Sequence, residues 1–348
     1  CTDNSNVIEL VQPDALDPVA SITSAFAVGK HVSCFGVSDG EASVTTTGGT
    51  GAYTYEWDDA NSQTTQAATG LAATSYAVTV TDVNSCQATS NTITLLQNAA
   101  MTATLAASSN FNGAEISCNG ASDGELTTTP GGGSGTYTYI WNDANGVIAN
   151  ETGITLTKGD GSYTVKVTDQ NGCTITSQAG SLTEPSAVSV ANPVVTHVVG
   201  CNGDNTGAIN ITASGGTGGY TYAWTVNANG NGGALVDAST AADQTQLIAG
   251  DYTVVAKDDN NCTGTVTVTI TEPTAVTRTA QVTSDFNNAH ISCNGASDGA
   301  LSVSASGGAG SYTYQWYSCN DANGAGAAII QGETSSTLTG QGAGFYYC

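Results

Sequence analysis

Alternation of apolar and polar side chains at every second residue is the main pattern along this chain. In the segment Tyr163–Thr168 (YTVKVT), Tyr163, Val165 and Val167 alternate with Thr and Lys. This period of two is typical of strands with one buried face, and no segment shows a sustained helical period. Similar segments predict further strands between residues 99 and 185: Met101–Leu105, Glu125–Thr129, Tyr137–Trp141, Gly153–Leu156, Tyr163–Thr168 and Thr174–Leu182.

This pattern repeats with a period of about 85 residues. The segment Ser33–Gly40 (SCFGVSDG) returns in related form at 117–124, 200–207 and 292–299, each time followed by a Gly-rich turn and Tyr-x-Tyr-x-Trp. The Trp residues of the four copies are 84, 83 and 92 residues apart: Trp57, Trp141, Trp224 and Trp316. A period this long predicts a tandem array of whole domains rather than a solenoid of small units.

The array predicts four domains, called repeats 1 to 4 below: residues 14–98, 99–185, 186–273 and a C-terminally truncated 274–348. Residues 1–13 match the tail of a repeat and predict the end of a preceding one, so we expect the chain to be a window from a longer protein. About seven short strands, a buried Trp on the third and a Tyr opening the sixth favour an all-β, immunoglobulin-like sandwich in each repeat. Short, Pro-containing junctions predict an extended, semi-rigid rod.

Charge excludes one class of partner. The chain has 29 acidic and 5 basic residues, for a net charge of −24. Nucleic-acid binding needs clustered Lys and Arg, and docking on anionic lipid needs a basic surface. We therefore expect neither a nucleic-acid partner nor direct membrane insertion. Charged residues make up only 10% of the chain, unlike a charge-saturated disordered polymer.

Cysteines occur in pairs, one just before the predicted second strand and one just after the sixth. The two are 52, 55 and 61 residues apart in repeats 1, 2 and 3. Such regular spacing favours a disulfide framework in an oxidising compartment, and no zinc-type Cys or His spacing occurs. The predicted bonds lie within repeats: Cys34–Cys86, Cys118–Cys173 and Cys201–Cys262.

The last repeat departs from this scheme. Tyr346 aligns with Tyr163, whose Cys follows ten residues later, at a position outside this sequence. Two additional cysteines predict a Cys319–Cys348 bond between neighbouring strands, which leaves Cys293 and Cys1 without partners. The alternative bond, Cys293–Cys348, leaves Cys319 free.

Several motifs resemble catalytic ones without their context. Gly36–Gly40, Gly120–Gly124 and Gly295–Gly299 match G-x-S-x-G, but a hydrolase elbow needs a following helix and a distant His. A tight turn capped by Asp is the favoured interpretation, and we expect no enzymatic activity and no catalytic residue. The positions of His31, His197 and His290 correspond to Glu115 in repeat 2, which favours a solvent-facing strand position.

Calcium is the one metal ligand that the sequence suggests. One set of carboxylates precedes the second Cys by four residues: Asp82, Asp169 and Asp258. Another follows the first Cys: Asp39, Asp123 and Asp298. A disulfide joining the two regions would gather oxygen ligands, whereas separate capping of turns explains each Asp alone. No complete calcium loop is present, so the expectation is no cofactor, with Ca²⁺ as the alternative.

The aromatic residues of the Tyr-x-Tyr-x-Trp blocks suggest a second kind of site, in which exposed rings stack on sugars. Alternation predicts that Trp57 and one Tyr face the core, while the other of Tyr53 and Tyr55 faces outward. Core contact is the favoured role for most of these rings.

Three motifs together resemble the SprB repeat: S-C-x-G-x-S-D-G, then G-G-x-G-x-Y-x-Y-x-W, then Y-x-V-x-V-T-D-x-N-x-C. The resemblance covers essentially the whole chain. SprB repeats occur in giant secreted surface proteins of gliding Bacteroidetes. Repeat 3 has GDNTG in place of the SDG form, and repeat 4 resembles a generic bacterial immunoglobulin-like domain in its second half.

The resemblance implies an extracellular, cell-surface adhesin exported by type IX secretion and moved along the cell during gliding. Its implied partners are a surface or polysaccharide target, the outer-membrane secretion and motility machinery, and further copies in a fibre or filament. The resulting hypothesis is an adhesin stalk that extends an adhesive region from the cell. A static fibre or coat protein and a repeated carbohydrate-binding module are the alternatives.

Overall fold

The chain folds into short strands in small antiparallel sheets. The computed structural model describes residues 8–26, 29–226 and 240–348, and over these residues it has β-strands and no α-helix. The chain forms two compact units, Cys1–Pro185 and Ser186–Cys348. The first unit holds repeats 1 and 2, and the second holds repeats 3 and 4.

The described residues form eight strands in each of repeats 1 and 2 and six strands in each of repeats 3 and 4. Repeat 1 contains β1 (Asp17–Ile22), β2 (Gly40–Thr47), β3 (Thr54–Trp57), β4 (Ala67–Leu71), β5 (Ser75–Tyr76), β6 (Val78–Thr81), β7 (Gln87–Thr89) and β8 (Ile93–Thr94). Repeat 2 contains β9 (Thr102–Ala107), β10 (Gly124–Gly131), β11 (Thr138–Asp143), β12 (Gly146–Val147), β13 (Thr155–Lys158), β14 (Gly161–Thr168), β15 (Thr174–Thr176) and β16 (Gly180–Leu182). Repeat 3 contains β17 (Ser189–Thr196), β18 (Gly207–Ser214), β19 (Tyr220–Val226), β20 (Gln244–Leu247), β21 (Gly250–Asp258) and β22 (Thr263–Ile270). Repeat 4 contains β23 (Thr277–Val282), β24 (Gly299–Ser306), β25 (Tyr317–Cys319), β26 (Ala328–Ile329), β27 (Thr337–Gln341) and β28 (Phe345–Tyr347).

Repeats 2, 3 and 4 are each a sandwich of two sheets, and repeat 1 has the sheets β1-β2-β4 and β3-β6-β7 with β5-β8 as an additional pair. In repeat 2, one sheet has the order β13-β10-β9 and the other the order β12-β11-β14-β15, with β16 also paired to β14. Repeat 3 shows the same arrangement as β17-β18-β20 and β19-β21-β22. Both sheets of repeat 2 contribute to one core, since Leu126 and Leu156 of the first pack with Trp141 and Val165 of the second. This confirms the predicted tandem, all-β, immunoglobulin-like architecture.

A Trp and a Tyr anchor each core in the same way. Trp141 is fully buried, and its indole N–H donates to the carbonyl oxygen of Gly153 at 2.9 Å. Tyr163 is the third residue of β14, and its hydroxyl donates to the carbonyl oxygen of Gly159, four residues earlier, at 3.0 Å. Burial raises the pKa of Tyr163 above its ordinary value. This Tyr contact is a tyrosine corner, a hallmark of immunoglobulin-like sandwiches.

The predicted strands of repeat 2 correspond to observed ones with small shifts at their ends. In β14, Tyr163, Val165 and Val167 are buried, which confirms the alternation found in the sequence. The predicted strand Thr174–Leu182 is two strands, β15 and β16. Between them, the Val165 N–H donates to the Ser177 hydroxyl oxygen, so a side chain interrupts the strand ladder.

Candidate functional site at the junction between repeats

The loop that carries the first cysteine of a repeat lies where the chain leaves that repeat. We call this loop, Ser33–Gly40 and its equivalents, the exit loop. In repeat 1, the Gly36 N–H donates to Gln97 Oε1 at 2.7 Å. In repeat 2, the Gly120 N–H donates to Glu184 Oε2 at 2.6 Å, and repeat 3 has the same bond from Gly203 to Glu272. The exit loop is thus tied to the last residues of its own repeat.

The Asp of the G-x-S-x-G motif closes the exit loop. The Ser33 N–H donates to Asp39 Oδ1 at 2.9 Å, and Ser292 makes the same bond to Asp298 at 3.1 Å. Hydrogen bonds from the Ser292 side chain and backbone lower the pKa of Asp298. In repeat 1 the motif leads into strand β2 rather than a helix, so its geometry is that of a capped turn and not of a nucleophile elbow.

The second cysteine of a repeat lies at the opposite pole, where the chain enters. Asp169 organises this entrance turn: its Oδ1 accepts from the N–H groups of Asn171 and Cys173, and its Oδ2 accepts from the Ser134 N–H. Gly133 then donates to the carbonyl oxygen of Ala99 in the incoming linker at 2.9 Å. Asp82 and Asp258 hold the corresponding turns of repeats 1 and 3, and the hydrogen bond from the Cys86 backbone lowers the pKa of Asp82.

The two cysteines of one repeat lie at opposite poles, too far apart to bond, so the predicted bonds within repeats are wrong. Strand β14 spans eight residues, which is about 26 Å at 3.3 Å per residue. Its first residue, Gly161, pairs with Leu182 at the exit pole. Its last residue, Thr168, is followed by the entrance turn that contains Cys173. A disulfide joins Cα atoms less than about 7 Å apart. The incorrect pairs are Cys34–Cys86, Cys118–Cys173 and Cys201–Cys262.

The structure instead joins neighbouring repeats. Cys34 in the exit loop of repeat 1 is bonded to Cys173 in the entrance turn of repeat 2, with a Cα–Cα distance of 5.7 Å and a sequence separation of 139. Beside the bond, the Asn171 side-chain amide donates to the carbonyl oxygen of Ser33 at 3.0 Å. Cys118 and Cys262 are also disulfide-bonded. Three other cysteines are free and exposed: Cys86, Cys201 and Cys293.

The predicted Cys319–Cys348 bond is also wrong, because both thiols are free. In the β25–β28 pair, Cys319 lies opposite Phe345, three residues from Cys348 along the strand. Three residues of strand span about 10 Å, which is too far for a disulfide. Cys348 packs instead against the core that contains Trp316. The alternative Cys293–Cys348 bond is not formed either, and Cys1 lies outside the described residues.

The histidine position has a structural role that the sequence analysis missed. His31 Nδ1 accepts from the Leu96 N–H at 3.0 Å, and His197 Nδ1 accepts from the Thr271 N–H at 3.1 Å. In repeat 2, Glu115 Oε2 accepts from the Thr183 N–H at 2.8 Å. The position therefore needs a side-chain acceptor for a backbone N–H just after the last strand of its repeat, and both His and Glu provide one.

In repeat 1, both tyrosines of the Tyr-x-Tyr-x-Trp block face the core. Tyr53, Tyr55 and Trp57 lie two residues apart, so they share one face, and both Tyr rings pack against the core of repeat 1. The Tyr53 hydroxyl also donates to the carbonyl oxygen of Gly48 at 2.7 Å, which fixes the Gly-rich turn. The expectation that one Tyr faces outward is wrong, and these rings offer no exposed pair for stacking on sugars.

The entrance-turn carboxylates considered as calcium ligands accept hydrogen bonds from backbone N–H groups in all three complete entrance turns. Both oxygens of Asp169 accept such bonds, as do both oxygens of Asp82 and of Asp258. Among the described residues, no group of three or more His, Cys, Asp or Glu side chains is arranged to hold a metal ion.

A family model described as the SprB repeat matches residues 30–62, 111–146, 199–229 and 289–321. The chain carries four SprB repeats. Each match contains the exit-loop cysteine and the core Trp, and none contains the entrance-turn cysteine. The match therefore confirms the resemblance at all four positions. No curated protein sequence matches the chain.

Solved structures similar to the SprB repeats of this chain contain extracellular or surface modules. Extracellular domains 3–5 of Drosophila OTK are 11% identical, with 67% of this chain and 91% of that chain covered and a TM-score of 0.23. A C-terminal 282-residue fragment of intimin, in complex with the intimin-binding domain of its translocated receptor, is 17% identical, with 66% and 67% covered and a TM-score of 0.23. Domains 7, 8 and 9 of the S-layer protein SbsC are 12% identical, with 63% and 79% covered and a TM-score of 0.19.

The SprB repeats make this chain a repeat protein of the surface-adhesin type. Its two kinds of bonded cysteine, in exit loops and in entrance turns, are typical of proteins in oxidising surroundings outside the cytosol. Within the described residues, no helix is long and apolar enough to cross a membrane.

Proposed function

We propose that this chain is a stalk segment of a large secreted adhesin, which extends an adhesive region from the cell and serves gliding motility. The observation that carries the proposal is the covalent junction between repeats 1 and 2. A bond from Cys34 to Cys173 transmits load from the exit loop of one repeat to the entrance turn of the next.

The junction suits a load-bearing role because the bond lies beside the natural path of the chain. The Gly36 N–H bond to Gln97 ties the exit loop to the last residues of repeat 1, and Gly133 is bonded to the linker carbonyl of Ala99. The disulfide therefore connects two turns that already hold the linker. Under tension, the disulfide limits how far the chain between residues 34 and 173 can extend, even when the sandwiches themselves open.

Motion of the repeats on living cells tests the gliding role. We expect a fluorescent Fab fragment raised against repeats 1 and 2 to travel along the body of source cells that are moving over glass. A Fab fragment against an unrelated outer-membrane protein serves as the control for drift. Repeat-bound label that stays fixed on moving cells contradicts the gliding role and leaves a static fibre or coat protein. In this role, the partners of the chain are the secretion and motility machinery of the outer membrane and an adhesion target.

Calcium removal is expected to leave the SprB repeats unchanged. Each entrance-turn Asp already satisfies its two oxygens with backbone N–H groups, so its turn needs no cation. We expect the same thermal unfolding midpoint, within about 1 °C, in excess EDTA and in millimolar CaCl₂ at equal ionic strength. MgCl₂ provides the control for unspecific screening of the net charge. A midpoint several degrees higher in CaCl₂ alone supports the calcium hypothesis instead.

A further inference from the structure

A side-chain amide of repeat 2 reaches across the junction to repeat 1. The Asn171 amide nitrogen Nδ2 donates to the carbonyl oxygen of Ser33 at 3.0 Å. Ser33 immediately precedes Cys34, and Asn171 lies two residues before Cys173. This hydrogen bond therefore joins the same two turns as the disulfide, beside the two bonded sulfur atoms.

The entrance turn holds this amide and the Cys173 sulfur on one rigid frame. Asp169 is only 5% exposed, and its Oδ1 accepts from the N–H groups of both Asn171 and Cys173 at 2.9 Å. The Gly172 N–H also donates to the carbonyl oxygen of Asp169 at 3.1 Å. Because one carboxylate fixes both residues, the position of the amide also sets the position of the sulfur.

The exit loop presents its carbonyl and its sulfur in the same way. The Ser33 N–H donates to Asp39 Oδ1 at 2.9 Å, and the Val37 N–H donates to the carbonyl oxygen of Cys34 at 3.2 Å. Both turns are thus closed by hydrogen bonds of their own. A contact between Asn171 and Ser33 that forms first would bring together two sulfur atoms that are already oriented.

The Asn171 amide donates to the neighbouring repeat although its own turn offers an acceptor. In repeat 1 the equivalent residue, Asn84, donates to Thr50 Oγ1 in its own Gly-rich turn at 2.6 Å. Repeat 2 has Ser134 at the position of Thr50. Ser134 is 4% exposed, and its buried hydroxyl oxygen has no hydrogen-bond partner among the described residues. A buried hydroxyl without a partner is unfavourable, which indicates that the contact to Ser33 is the preferred one.

We propose that Asn171 is a positioning residue for formation of the disulfide between repeats 1 and 2. Its amide binds the Ser33 carbonyl before the sulfur atoms are joined, so that the folded repeats dock first and are oxidised afterwards. The acceptor is a backbone atom, which every exit loop has whatever its residue at this position: Ser33, Ser117, Gly200 and Ser292. The inference does not depend on the gliding role, since it concerns only how the junction forms.

Docking matters because the chain by itself favours a different bond. Cys86 is 52 residues from Cys34, whereas Cys173 is 139 residues away. In an unfolded chain, loop-closure entropy favours the nearer cysteine by about fourfold. A folded repeat holds its two cysteines at opposite poles, so folding and docking before oxidation select the bond to Cys173.

The covalent step needs a disulfide as oxidant, and oxidised glutathione serves in the experiment. The thiolate of one cysteine attacks glutathione disulfide, forms a mixed disulfide and releases one glutathione thiol. The thiolate of the other cysteine then displaces the second glutathione thiol, so that two electrons and two protons pass to glutathione. The effective concentration of the two protein thiols at equilibrium measures how well the junction holds them together.

The full chain in glutathione buffers of varied ratio tests the positioning role. The fraction of Cys34 bonded to Cys173 is measured by acid quenching, alkylation of free thiols and mass spectrometry of the linked peptide. Asn171→Ala should lower the effective concentration about tenfold, because one hydrogen bond across the junction is lost. Asn171→Asp should lower it further, since a carboxylate has no N–H to donate and faces the Ser33 carbonyl oxygen. An effective concentration unchanged in Asn171→Ala overturns the proposal.

Two control variants and one independent readout separate positioning from general stability. Asn84→Ala removes an amide that contacts its own turn, and Ser33→Ala keeps the backbone carbonyl, so both should leave the effective concentration unchanged. The core clusters of the two repeats contain no cysteine, so we expect the reduced chain to keep its sandwiches. Hydrogen exchange of the β14 amides in the reduced chain should be equal with and without Asn171→Ala. An equal fall in effective concentration for Asn84→Ala, or a matching loss of β14 protection in Asn171→Ala, overturns the proposal.

Oxidation of the reduced chain with and without guanidinium chloride tests the order of docking and oxidation. The folded chain should give the Cys34–Cys173 bond, whereas the unfolded chain should give Cys34–Cys86 in excess over it. Cys34–Cys86 as the main product of the folded chain overturns docking before oxidation.

Discussion

Pulling on repeats 1 and 2 will release about 480 Å of additional chain when Cys34 is replaced by Ser. The bond to Cys173 spans a sequence separation of 139, and extended chain measures about 3.5 Å per residue. With the bond intact, the enclosed residues cannot extend even after both sandwiches unfold. Optical tweezers, with handles attached near residues 14 and 185 by chemistry that spares cysteine, measure this contour length directly.

Cys86→Ser is the matched control for this experiment. Cys86 is free and exposed, so its replacement should leave the contour length unchanged. If bonds instead lay within repeats, Cys34→Ser would release only about 180 Å, for 52 enclosed residues, and Cys86→Ser would release the same length. Equal effects of the two variants would contradict the bond between repeats and remove the main support for the stalk role.

Replacing Trp141 with Ala will strongly destabilise repeat 2. The side chain is fully buried, and its indole N–H satisfies the carbonyl oxygen of Gly153. Loss of a buried Trp costs about 3–5 kcal/mol, which is a large share of the stability of a domain this size. Hydrogen exchange resolves single repeats, and protection of the β14 amides should fall by about 10²–10³-fold.

Ile140→Ala provides the control on the same strand. Ile140 is 43% exposed and points away from the core, so its loss should change β14 protection by less than about tenfold. Protection of β21, in the other compact unit, should be unchanged in both variants. An equal fall in protection for Trp141→Ala and Ile140→Ala would show that the Trp does not anchor the core.

Local patterns predicted the strands and cores well because they act over a few residues. Alternation in Tyr163–Thr168 decides which side chains are buried, and Trp141 and Tyr163 occupy the positions expected of an immunoglobulin-like sandwich. The capped turn at Gly36–Gly40 also follows from local chemistry, since Asp39 bonds an N–H only six residues away. The outward placement of one Tyr failed because Tyr53, Tyr55 and Trp57 have the same parity along one strand.

The sequence by itself determined the number of repeats, the strand pattern and the absence of a basic surface, since composition and short-range periodicity specify these properties. Only the tertiary structure decided the cysteine partners. Spacing places Cys118 and Cys173 in one repeat, but the eight residues of β14 separate their poles by about 26 Å. In the first unit, the exit loop of repeat 1 instead meets the entrance turn of repeat 2, where Cys34 is bonded to Cys173. The partner of a cysteine depends on which ends of two domains meet in space. The number of residues between two cysteines of one repeat does not give that information.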